Sequence, residues 1–123
     1  MPHTPLISIV DDDDALRSST ENLIRSAGFR TRGFSSAEAF LSANGLGETA
    51  CLILDLRLPG INGLDLQTHL NSNNRRIPTI FITAHGDETW RTRALAAGAL
   101  AFLQKPFYEQ DLLDAIDAAL SRP

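Results

Sequence analysis

The stretch that decides the fold is Leu6-Ile-Ser-Ile-Val-Asp-Asp-Asp-Asp14. Its first five residues form a short segment, rich in β-branched side chains and almost entirely apolar, which is typical of a strand buried on both faces. Apolar residues including Leu16, Leu23 and Ile24 then recur at helical spacing, and Gly28 stands where a helix can end. A buried strand followed by an amphipathic helix is the unit from which parallel sheets are built.

The same unit recurs along the rest of the chain. Further strands are predicted over residues 29–34, 50–54, 78–82 and 100–103. Helices are predicted from the capping box Ser35-Ser-Ala-Glu38 to about residue 44, over 64–70, over 87–97 and through Leu112, Ile116 and Leu120. We therefore predict a single domain over residues 1–123 with an α/β fold, a doubly wound five-stranded parallel sheet with helices on both faces.

The composition excludes several classes of protein. With 43% hydrophobic and 21% charged residues, the chain is neither a disordered tail nor a disulfide scaffold. Its 11 basic and 15 acidic residues give a net charge of −4, so we expect no direct nucleic-acid binding by this domain. The apolar run from Ala94 to Leu103 is too short to span a membrane, and no secretory signal is visible. The single cysteine, Cys51, is compatible with a cytoplasmic protein.

Polar side chains stand at the carboxyl ends of four predicted strands. They are Asp11 and Asp12 after the first strand, Asp55 after the third, Thr83 after the fourth and Lys105 after the fifth. In a parallel sheet these ends meet at one edge, where ligands bind. Crowded carboxylates repel each other unless a cation joins them, and oxygen ligands favour Mg²⁺ or Mn²⁺. A lysine beside a hydroxyl completes a site for a phosphoryl group, and Lys105 is the only lysine of the chain.

Each of these residues also has an ordinary structural interpretation. An aspartate after a strand usually caps a helix, which is the role we expect for Asp14, with Asp13 in a solvated loop. A threonine can simply end a strand, and a lysine before a proline can lie on the surface. The combination of all four strand ends is what favours a functional site.

These motifs together resemble a response-regulator receiver domain. The resemblance rests on Asp11-Asp12, on Asp55-Leu-Arg-Leu-Pro-Gly60, on Thr83-Ala84 and on Lys105-Pro-Phe107, and it covers nearly the whole chain. The segments Ser36-Ala-Glu-Ala-Phe-Leu41 and Lys105-Pro-Phe107 are most similar to the FixJ-like branch. The resemblance implies a flavodoxin-like sheet of order 2-1-3-4-5, for which receivers are a standard example.

The resemblance also implies a role for each site residue. Asp55 is phosphorylated by a sensor histidine kinase, and Lys105 pairs with it in the resting state, through a cis Lys105–Pro106 bond. The metal is held by Asp12 directly, by Asp11 through water, by Asp55 and by the backbone carbonyl of Arg57. The phosphoryl group is received by Thr83, Ala84 and Lys105, and the switch consists of Thr83 and Phe102, with Arg57 and His85 as candidate rate modulators.

The implied output is a change in one face of the molecule. That face comprises the fourth helix, the fifth strand and the fifth helix, and we expect it to carry contacts with a second copy or with another partner on phosphorylation. Its expected exposed residues include Arg91, Arg93 and Tyr108. FixJ-like receivers commonly precede a DNA-binding domain, and the sequence leaves open whether one follows here.

Three other functions compete with this interpretation. A phosphatase of the haloacid-dehalogenase kind needs an acid two residues after its nucleophile, where this chain has Arg57. A flavin or nucleotide carrier is disfavoured because no glycine-rich phosphate-binding motif is present. A degenerate receiver that acts only through protein contacts is the more serious alternative, although no residue of the expected site is missing from the sequence.

Overall fold

The computed structural model describes residues 4–43, 48–58, 60–73, 77–83 and 88–121, and within them five strands alternate with five helices. In chain order they are β1 (Leu6–Val10), α1 (Asp14–Ser26), β2 (Arg30–Phe34), α2 (Ala37–Ser42), β3 (Thr49–Asp55), α3 (Gly63–Ser72), β4 (Thr79–Thr83), α4 (Glu88–Ala96), β5 (Ala101–Gln104) and α5 (Glu109–Leu120). The predicted alternation is confirmed.

The strands form one parallel sheet in the order β2-β1-β3-β4-β5, as predicted. Val10 at the end of β1 pairs with Leu54 of β3, and Asp55 pairs with Ile82 of β4. Thr83 pairs with Gln104 at the end of β5. Because the register keeps these ends level, the residues that follow β1, β3, β4 and β5 leave the sheet at one edge.

The sheet is buried on both faces, and β3 shows why its sequence is almost continuously apolar. Leu52 and Leu54 pack into a core beneath α2, α3 and α4, which also holds Phe81. Cys51 and Ile53 point to the opposite core, beneath α1 and α5. Alternate residues of a strand face opposite sides of a sheet, so a strand between two helical layers needs apolar residues at both sets of positions.

Two predicted helix caps are displaced by one residue. The N-cap of α1 is Asp13 and not Asp14, and its side chain accepts a hydrogen bond from the Leu16 N–H at 3.0 Å. Asp14 is the first helical residue and forms an ion pair with Arg17 at 2.7 Å. In a run of four aspartates, the backbone conformation of the loop decides which residue caps the helix.

The N-cap of α2 is Ser36 and not Ser35, so the predicted capping box does not form. The Ser36 hydroxyl accepts a hydrogen bond from the Ala39 N–H at 3.0 Å. Glu38 is thereby one residue too early to complete the box, and its carboxylate instead accepts a hydrogen bond from the Ile61 N–H at 3.4 Å.

The predicted ends of most elements agree with the structure to within one or two residues. The start of the fourth helix near Asp87 and the loop at 44–47 lie outside the described residues. Gly28 and Gly98 follow α1 and α4 with φ of 99° and 100°, and the Lys105–Pro106 bond is cis. Among the described helices, none combines the length and the apolar character that crossing a bilayer requires.

Candidate functional site

Three carboxylates converge at the carboxyl edge of the sheet. Asp11 follows β1, Asp12 begins the loop to α1, and Asp55 is the last residue of β3. Each offers one oxygen, and these oxygens lie within 4.8 Å of one another. Asp11 and Asp55 are buried while Asp12 is exposed, so the cluster opens to solvent on the side of Asp12.

Lys105 joins two of these carboxylates from the loop after β5. Its Nζ donates to Asp11 Oδ2 at 3.1 Å and to Asp55 Oδ2 at 3.2 Å. Its backbone N–H donates to the Thr83 carbonyl at 2.7 Å, which fixes the Lys105 backbone against the end of β4. The pairing with Asp55 was implied by the family resemblance; the contact with Asp11 was not.

The backbone around each buried carboxylate is also fixed. The Asp13 N–H donates to Asp11 Oδ1 at 3.0 Å, and the Arg57 N–H donates to Asp55 Oδ1 at 3.0 Å. The chain after Asp55 folds back, so that the Gly63 N–H donates to the Leu56 carbonyl at 3.0 Å. Both acids are therefore held by their own loops as well as by Lys105.

The electrostatics of the site leave it with unbalanced negative charge. Burial raises the pKa of Asp55, against the opposing effects of the Arg57 N–H and the Lys105 charge, and the charge of Asp11 raises it further. Burial disfavours the Lys105 ammonium, but the charges of Asp55 and Asp11 outweigh it and raise the lysine pKa. One ammonium thus faces two buried acids, an arrangement that a further cation would stabilise.

The donor set suits a hard divalent cation. The three clustered acids offer only oxygen ligands, and the exposed position of Asp12 leaves room for water. Mg²⁺ prefers a few carboxylates together with several waters, and Mn²⁺ accepts the same ligands. These residues therefore fit the predicted metal.

The remaining predicted residues lie in different surroundings. Thr83 is fully buried at the end of β4. Phe102 of β5 is half-buried and pairs with Phe81. Arg57 is exposed, and Ala84 and His85 lie outside the described residues.

Phe102 also lines a surface groove of about 370 Å³ between α4 and α5. The other residues of this groove are Glu88, Arg91, Leu103, Gln104, Pro106, Phe107, Tyr108 and Asp111.

Two residues at the site were not predicted from the sequence. Arg17 of α1 donates from Nη1 to the Asp11 carbonyl at 2.7 Å. Glu38 of α2 reaches the loop between β3 and α3, where it contacts Ile61. The only local indication was the spacing of Asp14 and Arg17, which suits a helical ion pair but does not reveal the contact with Asp11.

The sequence of this chain matches a known family. Residues 7–117 match the family described as the response regulator receiver domain. This chain belongs to that family. Receiver domains are signalling proteins rather than metabolic enzymes, and as a family they bind Mg²⁺ and pair with histidine kinases.

Individual relatives place this receiver domain near FixJ, as predicted. It is 48% identical over 117 residues to Nodulation protein W of Bradyrhizobium diazoefficiens, covering 95% of this chain and 52% of that protein. It is 38% identical over 122 residues to FixJ of Azorhizobium caulinodans, covering 99% and 58%. The crystal structure of FixJ-N superposes with a TM-score of 0.88 at 33% identity, covering 99% of this chain and 98% of that one.

The receiver domain spans about half the length of the curated relatives that it matches. The likeness therefore concerns the receiver segment of those proteins.

Proposed function

We propose that this receiver domain is a phosphorylation-activated switch that accepts a phosphoryl group on Asp55 from a sensor histidine kinase in a Mg²⁺-dependent reaction. The observation that carries the proposal is the position of Asp55. It ends the central strand 3.2 Å from Lys105 Nζ, and its carboxylate lies in one cluster with Asp11 and Asp12.

The transfer needs positioning and charge stabilisation more than a strong base. A carboxylate oxygen of Asp55 attacks the phosphorus of the phosphohistidine, the new O–P bond forms, and the P–N bond breaks with its electron pair retained by the imidazole. The Lys105 ammonium moves from the carboxylate to the phosphoryl oxygens, while Thr83 donates its hydroxyl and Ala84 leaves space. Bound Mg²⁺, held by Asp11, Asp12, Asp55 and the Arg57 carbonyl, would neutralise charge on the transferred group.

Loss of the phosphoryl group would be catalysed by the same residues. Water attacks the phosphorus, the O–P bond to Asp55 breaks, inorganic phosphate leaves, and Asp55 is restored as a carboxylate. Arg57 and His85 follow Asp55 and Thr83 by two residues and are our candidates for control of this rate.

The proposed output is a rearrangement of the surface formed by α4, β5 and α5. The Thr83 carbonyl accepts a hydrogen bond from the N–H of Lys105, the residue that follows β5, and Phe102 of β5 lines the groove on this surface. Movement of Thr83 toward the phosphoryl group would let the Phe102 ring reposition, which requires that the two states make different contacts. We assign homodimerisation to this surface, and a cytoplasmic location without direct nucleic-acid or membrane contacts is part of the same proposal.

Phosphorylation by acetyl phosphate tests the assignment of Asp55. With Mg²⁺, intact-mass measurement should show one added phosphoryl group on the wild-type chain and none on Asp55→Asn. Asp65→Asn, which changes an exposed acid of α3, should be phosphorylated like the wild type. Removal of Mg²⁺ with EDTA should suppress the reaction. Undiminished phosphorylation of Asp55→Asn would refute the assignment.

The same measurement separates this function from the degenerate receiver. A domain that acts only through protein contacts would remain unmodified under all of these conditions. The chemistry expected of an active receiver is represented among the described residues by Asp11, Asp12, Asp55, Thr83 and Lys105, and this favours the active form.

A further inference from the structure

Arg17 lies against the backbone of the acidic loop rather than in solvent. Its Nη1 donates to the Asp11 carbonyl at 2.7 Å, and its Nη2 donates to the Asp14 carboxylate at 2.7 Å. The Arg17 side chain is 18% exposed, whereas that of Asp14 is 85% exposed. Exposed ion pairs contribute little, so the contact with the buried Asp11 is the one that explains where this guanidinium lies.

With this contact, every polar group of Asp11 has a partner. Its N–H donates to the Phe34 carbonyl at 3.0 Å. Its two carboxylate oxygens accept from the Asp13 N–H at 3.0 Å and from Lys105 Nζ at 3.1 Å. The Asp11 carbonyl accepts from Arg17 Nη1, and that carbonyl belongs to the Asp11–Asp12 peptide.

A peptide unit is planar, so fixing its carbonyl fixes the direction in which the chain enters the next residue. The Arg17 hydrogen bond therefore constrains the direction in which the chain passes from Asp11 to Asp12. Asp12 is the exposed member of the acid cluster, so the path of the backbone into it matters for where its carboxylate lies.

The edge strand β2 has a glycine, Gly33, where the Arg17 side chain lies against it. A Cβ added to Gly33 of β2 would lie 3.1 Å from Arg17 Cδ and 2.6 Å from Glu21 Oε2. Those two side chains cross β2 from α1, and any larger residue at position 33 would push them outward. The path of the arginine stem thus depends on a glycine in another element.

We propose that Arg17 is a positioning residue, which holds the Asp11–Asp12 peptide so that both carboxylates face the metal. This inference rests on the proposed function, because it concerns the affinity of the same site for Mg²⁺. The charge of Arg17 acts in the opposite direction: a nearby cation disfavours Mg²⁺, so its removal would strengthen binding if charge were its only contribution. Loss of Arg17 should therefore weaken Mg²⁺ binding if the residue positions the peptide, and strengthen it if only its charge matters.

Calorimetric titration with Mg²⁺ alone, without a phosphoryl donor, shows whether Mg²⁺ binding is weakened or strengthened. For Arg17→Met the dissociation constant should rise roughly tenfold, the size expected when a residue that supports a metal ligand is lost. Arg17→Lys, which keeps a donor and the charge, should recover part of the affinity. Arg25→Met is the matched control: it removes the same charge from the same helix, and Arg25 contacts Asn22, Thr31 and Glu21 instead of Asp11.

A second variant keeps the inference testable if Arg17→Met folds poorly. Gly33→Ala retains the arginine but displaces its stem, and it should also weaken Mg²⁺ binding severalfold. Thermal melts without Mg²⁺ identify which variants are folded. Equal or tighter binding by folded Arg17→Met, or by Gly33→Ala, would overturn the role of Arg17 and leave the proposed function intact. A wild-type chain that bound no Mg²⁺ and accepted no phosphoryl group would overturn both.

Discussion

Cys51 is a residue whose acidity is set mainly by burial, against a smaller opposing effect of the Leu52 backbone. It lies in β3, fully covered by the core beneath α1 and α5, and burial raises its pKa from 9.0 to about 12. In the unfolded chain the thiol ionises near its ordinary value, so between about pH 9 and 12 the native state binds more protons than the unfolded state. Stability from this group is complete below that range and is lost as the pH rises through it.

We therefore expect the free energy of unfolding to fall with a steeper pH slope in the wild type than in Cys51→Ser. The extra slope should approach about 1.4 kcal/mol per pH unit within the range, since one pKa unit corresponds to that energy. Urea titrations of both chains between pH 8 and 11 measure it. The serine variant controls for tyrosine and lysine ionisation, and identical slopes in the two chains would contradict the argument.

At the scale of elements, α3 can lie as close as it does to the end of β3 only because its first residue is Gly63. A Cβ on Gly63 would overlap the Asp55 carbonyl oxygen and lie 3.1 Å from both Leu56 Cα and a Phe81 ring carbon. Two of these neighbours are backbone atoms, which cannot move aside as a flexible side chain would.

Gly63→Ala should therefore destabilise the fold by about 2 kcal/mol and also slow phosphorylation of Asp55, because relief of the overlap displaces the strand end. Gly28→Ala is the control. A Cβ at position 28 would have no neighbour within 4 Å, but the backbone there has φ of 99°. This substitution should therefore lower the free energy of unfolding by about 1 kcal/mol and leave phosphorylation unchanged. Denaturant melts and acetyl phosphate kinetics measure the two effects, and unaltered kinetics in Gly63→Ala would refute the link between α3 and the site.

The order of the elements could be predicted from the sequence, but some contacts between them could not. Continuous apolar runs in β1, β3 and β4 reflect burial on both faces, and the acids and lysine at the strand ends predicted where they would meet. The caps Asp13 and Ser36 were missed by one residue because neighbouring residues of the same type compete for each role. Arg17 was missed because its contact depends on how α1 folds back over the loop that precedes it, and Glu38 was missed because its partner Ile61 lies in the loop of another strand–helix unit. Local spacing encodes neither arrangement.

At the scale of the whole molecule, the acid cluster and the groove on α4, β5 and α5 are connected through β5. Lys105 follows this strand and contacts Asp11 and Asp55, while Phe102 within it lines the groove. A change in the charge bound at the sheet edge therefore has a short structural route to an exposed surface. Arg91 lies on that surface, and so does Tyr108, which is 81% exposed.

We expect beryllofluoride, which mimics an acyl phosphate, to convert the receiver domain from monomer to dimer through this surface. Arg91 and Asp111 face the same groove, so part of the contact should be electrostatic and weaken as salt is raised. Arg91→Glu should raise the dimer dissociation constant roughly tenfold. Arg32→Glu makes the same charge reversal at an exposed position on the edge strand β2 and should dimerise like the wild type. Sedimentation velocity at low and high salt measures all three chains, and a dimer equally weakened by both substitutions would indicate a general charge effect rather than this interface.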